Sequence, residues 1–324
     1  MRPWLAVVTA YFMLTVPVGL AGAAQPQPSL PESCDPRLQK GLEECLATLG
    51  LNDAIRSRKL SVVLVDITDP DRPRLAYANP DYMMYAASLP KIAILLGAFE
   101  RISRGEMVLD DQTLETLQRM IRRSSNEAAT EMLNRVGPDF ILEVLQSPRY
   151  RLYDPETNGG LWVGKEYSKA SVRRPDPLHH LSHGATALQV ARFYYLLETG
   201  QLVSPEHSRT MKAILGDPEI HHKFVKGLKA EHPDSKIYRK SGTWQDFHSD
   251  SALIEREGYR YIAVALSHSP EGGRWLSELI VSLDNLICQP GAWALNTSSL
   301  SSSTAGTRQL PSDLPQTSSG AVKN

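Results

Sequence analysis

The stretch "AASLPKIAILLGAFE" (residues 86–100) is apolar on every side from Ile92 to Phe99, the pattern of a helix buried all round. Lys91 falls in its first turn, at the positive end of the helix dipole, where a cation is disfavoured. Burial adds a desolvation cost, and both effects favour the neutral amine. Ser88 precedes Lys91 by three residues, a spacing that puts both on one helix face. A serine hydroxyl becomes a nucleophile only when a base stands within hydrogen-bond reach, and a lysine with a depressed pKa is such a base. Pro90 suits a first helical turn, where no backbone donor is needed. Ser-x-x-Lys arises by chance about once in a chain of this size, so the pair needs company before it means chemistry.

Two further triplets supply it. "RRSSNEAAT" holds Ser124-Ser125-Asn126 at the start of an amphipathic helix, where a plain N-cap is the competing reading. "YRKSGTW" holds Lys240-Ser241-Gly242-Thr243 inside a strand-like run, where Lys240 could equally be an edge charge. A glycine inside a strand marks the close approach of a ligand or another backbone.

Outward from residues 86–100 the order is helix, two strands, many helices, three strands, helix. The first helix covers 36–48, and strands at 60–68 and 74–79 meet through the turn "DPDRP". Helical patterning runs from about 88 to 146, and the Pro- and Gly-rich section 147–184 reads as a long loop. A helix follows from Thr186, whose spacing to Gln189 makes a capping box. "KIYRKSGTW", "DSALIERE" and "YRYIAVALS" are strands, and "GRWLSELIVSLDNLIC" closes the domain as a helix. Both ends therefore feed one sheet around an inserted helical region, a mixed α/β (α+β) class without βαβ alternation.

In this order and context, Ser-x-x-Lys, Ser-x-Asn and Lys-[Ser/Thr]-Gly resemble the penicillin-recognising serine hydrolases, comprising serine β-lactamases and D-Ala-D-Ala peptidases. Residues 86–100 look like the nucleophile helix of class A β-lactamases, and the resemblance spans roughly 36–288. It implies an antiparallel five-stranded sheet flanked by terminal helices. It also implies acylation of Ser88 with Lys91 accepting the proton, and Ser124 relaying a proton to the leaving nitrogen. Lys240 would hold the Ser124 hydroxyl and attract a substrate carboxylate, and Asn126 would bond the substrate amide side chain. Ser241, Gly242 and Thr243 would line the substrate, with the N–H groups of Ser88 and Thr243 as the oxyanion hole. No cofactor or metal is implied, and "HHLSH" (179–183) sits in loop-like sequence despite the helical ligand spacing of His179 and His183.

Three departures bear on activity. The usual Glu-x-x-Leu-Asn that positions the hydrolytic water is missing. Asp154 and Asn158 of "YDPETN" have its spacing, Glu156 and Glu166 are rivals, and a simple turn explains the segment as well. Only 36 positions separate Ser88 from Ser124, so the helical region is trimmed. No arginine occurs in "SGTWQDFHSDSAL", leaving Lys223 or Lys226 to meet a substrate carboxylate. The function expected is a class A-like β-lactamase. The alternatives are a peptidoglycan D-Ala-D-Ala carboxypeptidase, amidase or esterase, and a binding module without catalysis.

The 324 residues carry a net charge of −1 and are 42% hydrophobic, a balance that excludes a nucleic-acid partner chosen by charge. The partner expected is a small β-lactam or a peptidoglycan stem peptide, bound by a monomer. Residues 1–24 have the pattern of a cleavable signal peptide, which implies export to a periplasm or the medium, with 25–295 as the hydrolase domain. The Ser/Thr-rich stretch 296–324 reads as a disordered tail. Cys34, Cys45 and Cys288 allow one disulfide to Cys288 or three free buried thiols.

Overall fold

The computed structural model describes residues 30, 34–167 and 172–289. The expected signal segment 1–24 and tail 296–324 lie outside these residues. Helices α1 (Pro36–Thr48) and α2 (Asn52–Arg56) lead into strands β1 (Leu60–Asp66) and β2 (Arg74–Ala78). The short strand β3 (Met84–Tyr85) precedes the turn that holds Ser88, and the inserted helices are α3 (Lys91–Ser103), α4 (Asp111–Arg122), α5 (Asn126–Val136) and α6 (Pro138–Gln146).

The section expected to be a loop carries four short strands: β4 (Tyr153–Asp154), β5 (Gly159–Gly160), β6 (Trp162–Val163) and β7 (His183–Ala185). Helices α7 (Ala187–Glu198), α8 (Pro205–Leu215) and α9 (Phe224–Glu231) follow. Strands β8 (Lys236–Trp244), β9 (Phe247–Arg256) and β10 (Tyr259–His268) and helix α10 (Gly272–Cys288) complete the chain.

The main sheet has five strands in the order β2-β1-β10-β9-β8, antiparallel throughout. It joins the two chain ends as the sequence pattern requires, and β8, carrying Lys240, stands at its edge. Strand alternation divides the core. Val62, Leu64, Ala76 and Ala263 face α1, α9 and α10 in one apolar cluster, whereas Val63, Val65, Leu75 and Val264 face the inserted helices in the other. β9 begins at Phe247, three residues before the sequence reading, because Gln245 at φ 50° and Asp246 close a two-residue hairpin that pairs Trp244 with Phe247.

All three cysteines are free thiols, Cys34 exposed and Cys288 buried, so no disulfide staples the chain ends. Burial raises the Cys45 thiol to about 11 and the Cys288 thiol to about 12, which keeps both protonated and unreactive.

Candidate active site

Helix α3 starts at Lys91, so Ser88 lies just before the helix rather than on it. The bonds Leu89 N–Ala86 O (3.0 Å), Lys91 N–Ser88 O (3.3 Å) and Ala93 N–Pro90 O (2.9 Å) are i to i+3, a tighter turn that delivers Ser88 to the cleft. Ala87 takes φ 51°, a conformation that costs a non-glycine residue about 1–3 kcal/mol. This strained residue immediately precedes Ser88.

Lys91 is fully buried, as its apolar surroundings in the sequence require. Its Nζ donates to the Ser124 carbonyl (2.6 Å), the Ser125 carbonyl (3.2 Å) and Asn126 Oδ1 (2.9 Å), and lies 3.4 Å from Ser124 Oγ. Desolvation lowers its pKa to about 7, with the charge of Glu127 pulling partly back. Ser88 Oγ has no hydrogen-bond partner among the described residues, so the expected direct Ser88–Lys91 bond is not made.

Lys240 joins from the sheet edge and is no solvated edge charge. It is 2% exposed, and its Nζ lies 2.9 Å from Ser124 Oγ and 2.8 Å from the Ser241 carbonyl. Burial, reinforced by the charge of Lys91, holds its pKa well below the usual lysine value. Ser124 itself sits at φ 56°, outside the helix, while the cap of α5 is Ser125, whose Oγ accepts from Ala128 N. The N-cap reading of this triplet therefore belongs to Ser125 and leaves Ser124 Oγ for the two lysines.

The Gly242 signal has a structural cause. A Cβ there would lie 2.1 Å from the Ala86 carbonyl and 2.8 Å from Ser88 N, so only glycine lets β8 run this close to the nucleophile turn. Ser249 Oγ ties the two together by donating to the Ala86 carbonyl (2.9 Å). The Ser88 N–H meets no acceptor among the described residues, leaving it available as an oxyanion donor. Thr243 is exposed beside it, and its Oγ1 accepts from Lys223 Nζ at 2.8 Å.

Of the two lysines the sequence offered for a substrate carboxylate, Lys226 is exposed and Lys223 is buried beside Thr243. It also holds the carbonyls of Gly242 (2.6 Å) and Ser249 (3.1 Å), and burial lowers its pKa to about 8. Beneath it, Arg239 and Asp250 form a buried two-bond ion pair, with both contacts at 2.7 Å.

Asp154 does not reach this cluster: its Oδ1 accepts the N–H groups of Glu156 (2.9 Å) and Thr157 (3.1 Å), capping its own turn. Glu156 is exposed on that turn, and Glu166 Oε1 accepts from Asn134 Nδ2 (2.9 Å) on α5. What covers Lys91 is Tyr167, whose backbone N–H is fixed by Thr130 Oγ1 (3.2 Å) and whose ring centroid lies 4.5 Å from Lys91 Nζ. His183 packs on that ring at 4.3 Å, and burial lowers its pKa to about 4, so it is neutral. Neither Tyr167 nor the Arg239–Asp250 pair had any signal in the sequence. Tyr167 lies outside the motifs, and Arg239, although next to Lys240, meets Asp250 only through the pairing of β8 with β9.

The model of the Beta-lactamase enzyme family matches residues 42–116 and 111–289. No curated protein matches the sequence. Among solved structures, a β-lactamase from Sphaerobacter thermophilus superposes with a TM-score of 0.61 at 17% identity, covering 76% of this chain and 96% of that one. A reconstructed last common ancestor of Gram-negative class A β-lactamases gives 0.60 at 19%, covering 76% and 99%. A point mutant of PBP-A, solved as its acyl-enzyme complex with penicillin-G, gives 0.58 at 16%, covering 81% and 98%. At these identities the structures establish the shared β-lactamase/transpeptidase-like fold. The family match extends over most of the chain: this protein belongs to the β-lactamase enzyme family. It is accordingly a hydrolase of the serine β-lactamase superfamily.

Proposed function

We propose that the protein forms an acyl-enzyme on Ser88 with β-lactams or with the D-Ala-D-Ala end of a peptidoglycan stem peptide, and that it releases the acyl group slowly. The observation that carries the reading is the Lys91–Ser124–Lys240 chain, two buried lysines of lowered pKa meeting at one serine hydroxyl. Neutral Lys91 takes the Ser88 proton as Oγ attacks the amide carbonyl. Ser124 passes a proton to the leaving nitrogen and is itself held by Lys240. The substrate carboxylate meets Lys223 and Thr243, which are already joined at 2.8 Å. The penicillin-G adduct of the PBP-A mutant supports penicillins as probes.

Slow release follows from what surrounds Lys91. A hydrolytic water needs a basic group aimed at the ester, and its misplacement by about 1 Å costs about a hundredfold. Asp154 is held by its turn, Glu166 by Asn134, and Lys91 Nζ faces the ring of Tyr167. A chromogenic cephalosporin should therefore give a burst of one equivalent followed by a slow steady phase, and Ser88→Ala should remove both. A steady fast phase without a burst would instead establish an efficient class A-like β-lactamase.

A further inference from the structure

On the flank of the α7 helix, away from the Lys91 cluster, lies an open cavity of about 500 Å³ lined by Arg151, Tyr153, Asp154, Glu156, Gln189 and Arg192, among others. Neither guanidinium has a side-chain hydrogen bond or ion pair among the described residues. Arg192 is half-buried on α7. We propose that this cavity is a phosphate-binding site in which Arg151 and Arg192 grip one phosphate group of a small molecule.

Each guanidinium offers five N–H donors in a fixed fork; Arg151 is exposed, and half-burying Arg192 without an acceptor is costly. The neighbouring positive charge adds to that cost: burial, and then the charge of Arg151, lower the Arg192 pKa. An anion bonded to both forks removes both penalties. A phosphate carries about −1.5 to −2 charge at neutral pH and matches two guanidiniums better than a carboxylate does. The acidic neighbours leave this role open. Asp154 commits Oδ1 to two backbone N–H groups and acts on Arg151 by charge alone, and exposed Glu156 bonds neither arginine. Arg151 is held at the cavity by a φ of 49° and by its N–H bond to the Ser147 carbonyl (2.9 Å). The volume lies within the about 300–1,000 Å³ of small-molecule sites.

The test is thermal unfolding of the full chain titrated with inorganic phosphate, with ionic strength held constant by chloride. Parallel series use acetate and the variants Arg192→Gln, Arg192→Lys and the surface control Arg37→Gln. Acylation of Ser88 in every variant reports that the fold is intact. The expected result is a saturable rise in melting temperature in the parent chain and in Arg37→Gln. The apparent affinity should fall at least tenfold in Arg192→Gln and by an intermediate factor in Arg192→Lys, which keeps the charge and loses the fork. Three results would each overturn the proposal: no saturable rise, the same rise in Arg192→Gln, or equal saturation by acetate.

Discussion

Ser124 Oγ stands 2.9 Å from Lys240 Nζ and 3.4 Å from Lys91 Nζ, so one hydroxyl links a lysine at the sheet edge to a lysine at the start of α3. Among the described residues, that hydroxyl is the one side chain bonded by both lysines. Ser124→Ala cuts the link while leaving Ser88 and Lys91 in place. Loss of a positioned proton relay costs about 10²–10⁴-fold. The acylation rate of Ser88 should fall by that factor, with substrate affinity nearly unchanged, in stopped-flow measurements with a chromogenic β-lactam.

The pH profile of acylation follows from two lysines. Lys91 must be neutral to accept a proton, and its pKa of about 7 means the rate rises as pH climbs through 7. Lys223 must be charged to attract a carboxylate, and its pKa of about 8 means recognition fades as pH climbs through 8. The second-order acylation rate should therefore be bell-shaped with a maximum between these values. A flat profile from pH 6 to 9 would contradict both assignments.

The same depressed lysines act on stability with a defined sign. Unfolded lysine binds its proton up to about pH 10.4. Folded Lys91 releases its proton at about 7, so the unfolded state binds more protons between these pH values. Stability contributed by this group therefore rises with pH across that window and is lowest below 7. Lys91→Met should abolish acylation, and its stability relative to the parent should fall as pH rises from 7 to 10, measured by urea unfolding.

Lys223 separates binding from chemistry. Lys223→Ala removes a cation and three hydrogen bonds, two to β8 and one to β9, so Lys223→Gln is the cleaner companion. Both should weaken binding of a carboxylate-bearing β-lactam by about tenfold or more, the usual size of a charge-assisted bond. A methyl ester of the same compound should lose little. Equal losses for acid and ester would assign Lys223 a bracing role only.

Gly242 tests the approach of the edge strand. An added methyl would meet the Ala86 carbonyl and Ser88 N, both backbone atoms. Gly242→Ala should push β8 back from the nucleophile and lower acylation by about a hundredfold, in line with a displacement near 1 Å.

The fold was legible because its signals are strong and local. The all-apolar run after Lys91, the valine-rich stretch 60–66 and the three late strands dictate elements long enough to pack in only a few ways. Ser88, Lys91, Ser124 and Lys240 were legible because the motifs break their local patterns, a lysine in an apolar helix start or a charged residue close to a strand glycine. The deacylation corner was not. Asp154 has the right spacing to Asn158, but its carboxylate satisfies two turn N–H groups, an outcome that Asp-Pro sequences favour on their own. Tyr167 reaches Lys91 only because Thr130, on α5, pins its backbone across 37 positions of chain.

The central claim, acylation without an equipped release step, is tested most directly by time-resolved intact-protein mass spectrometry with benzylpenicillin. The parent chain, Ser88→Ala and Tyr167→Glu are compared. The account predicts a one-to-one adduct that forms quickly, persists in the parent and is absent from Ser88→Ala. It decays faster in Tyr167→Glu, which places a carboxylate against Lys91. An adduct that vanishes within seconds in the parent while penicilloate accumulates, or one that survives the loss of Ser88, would contradict it.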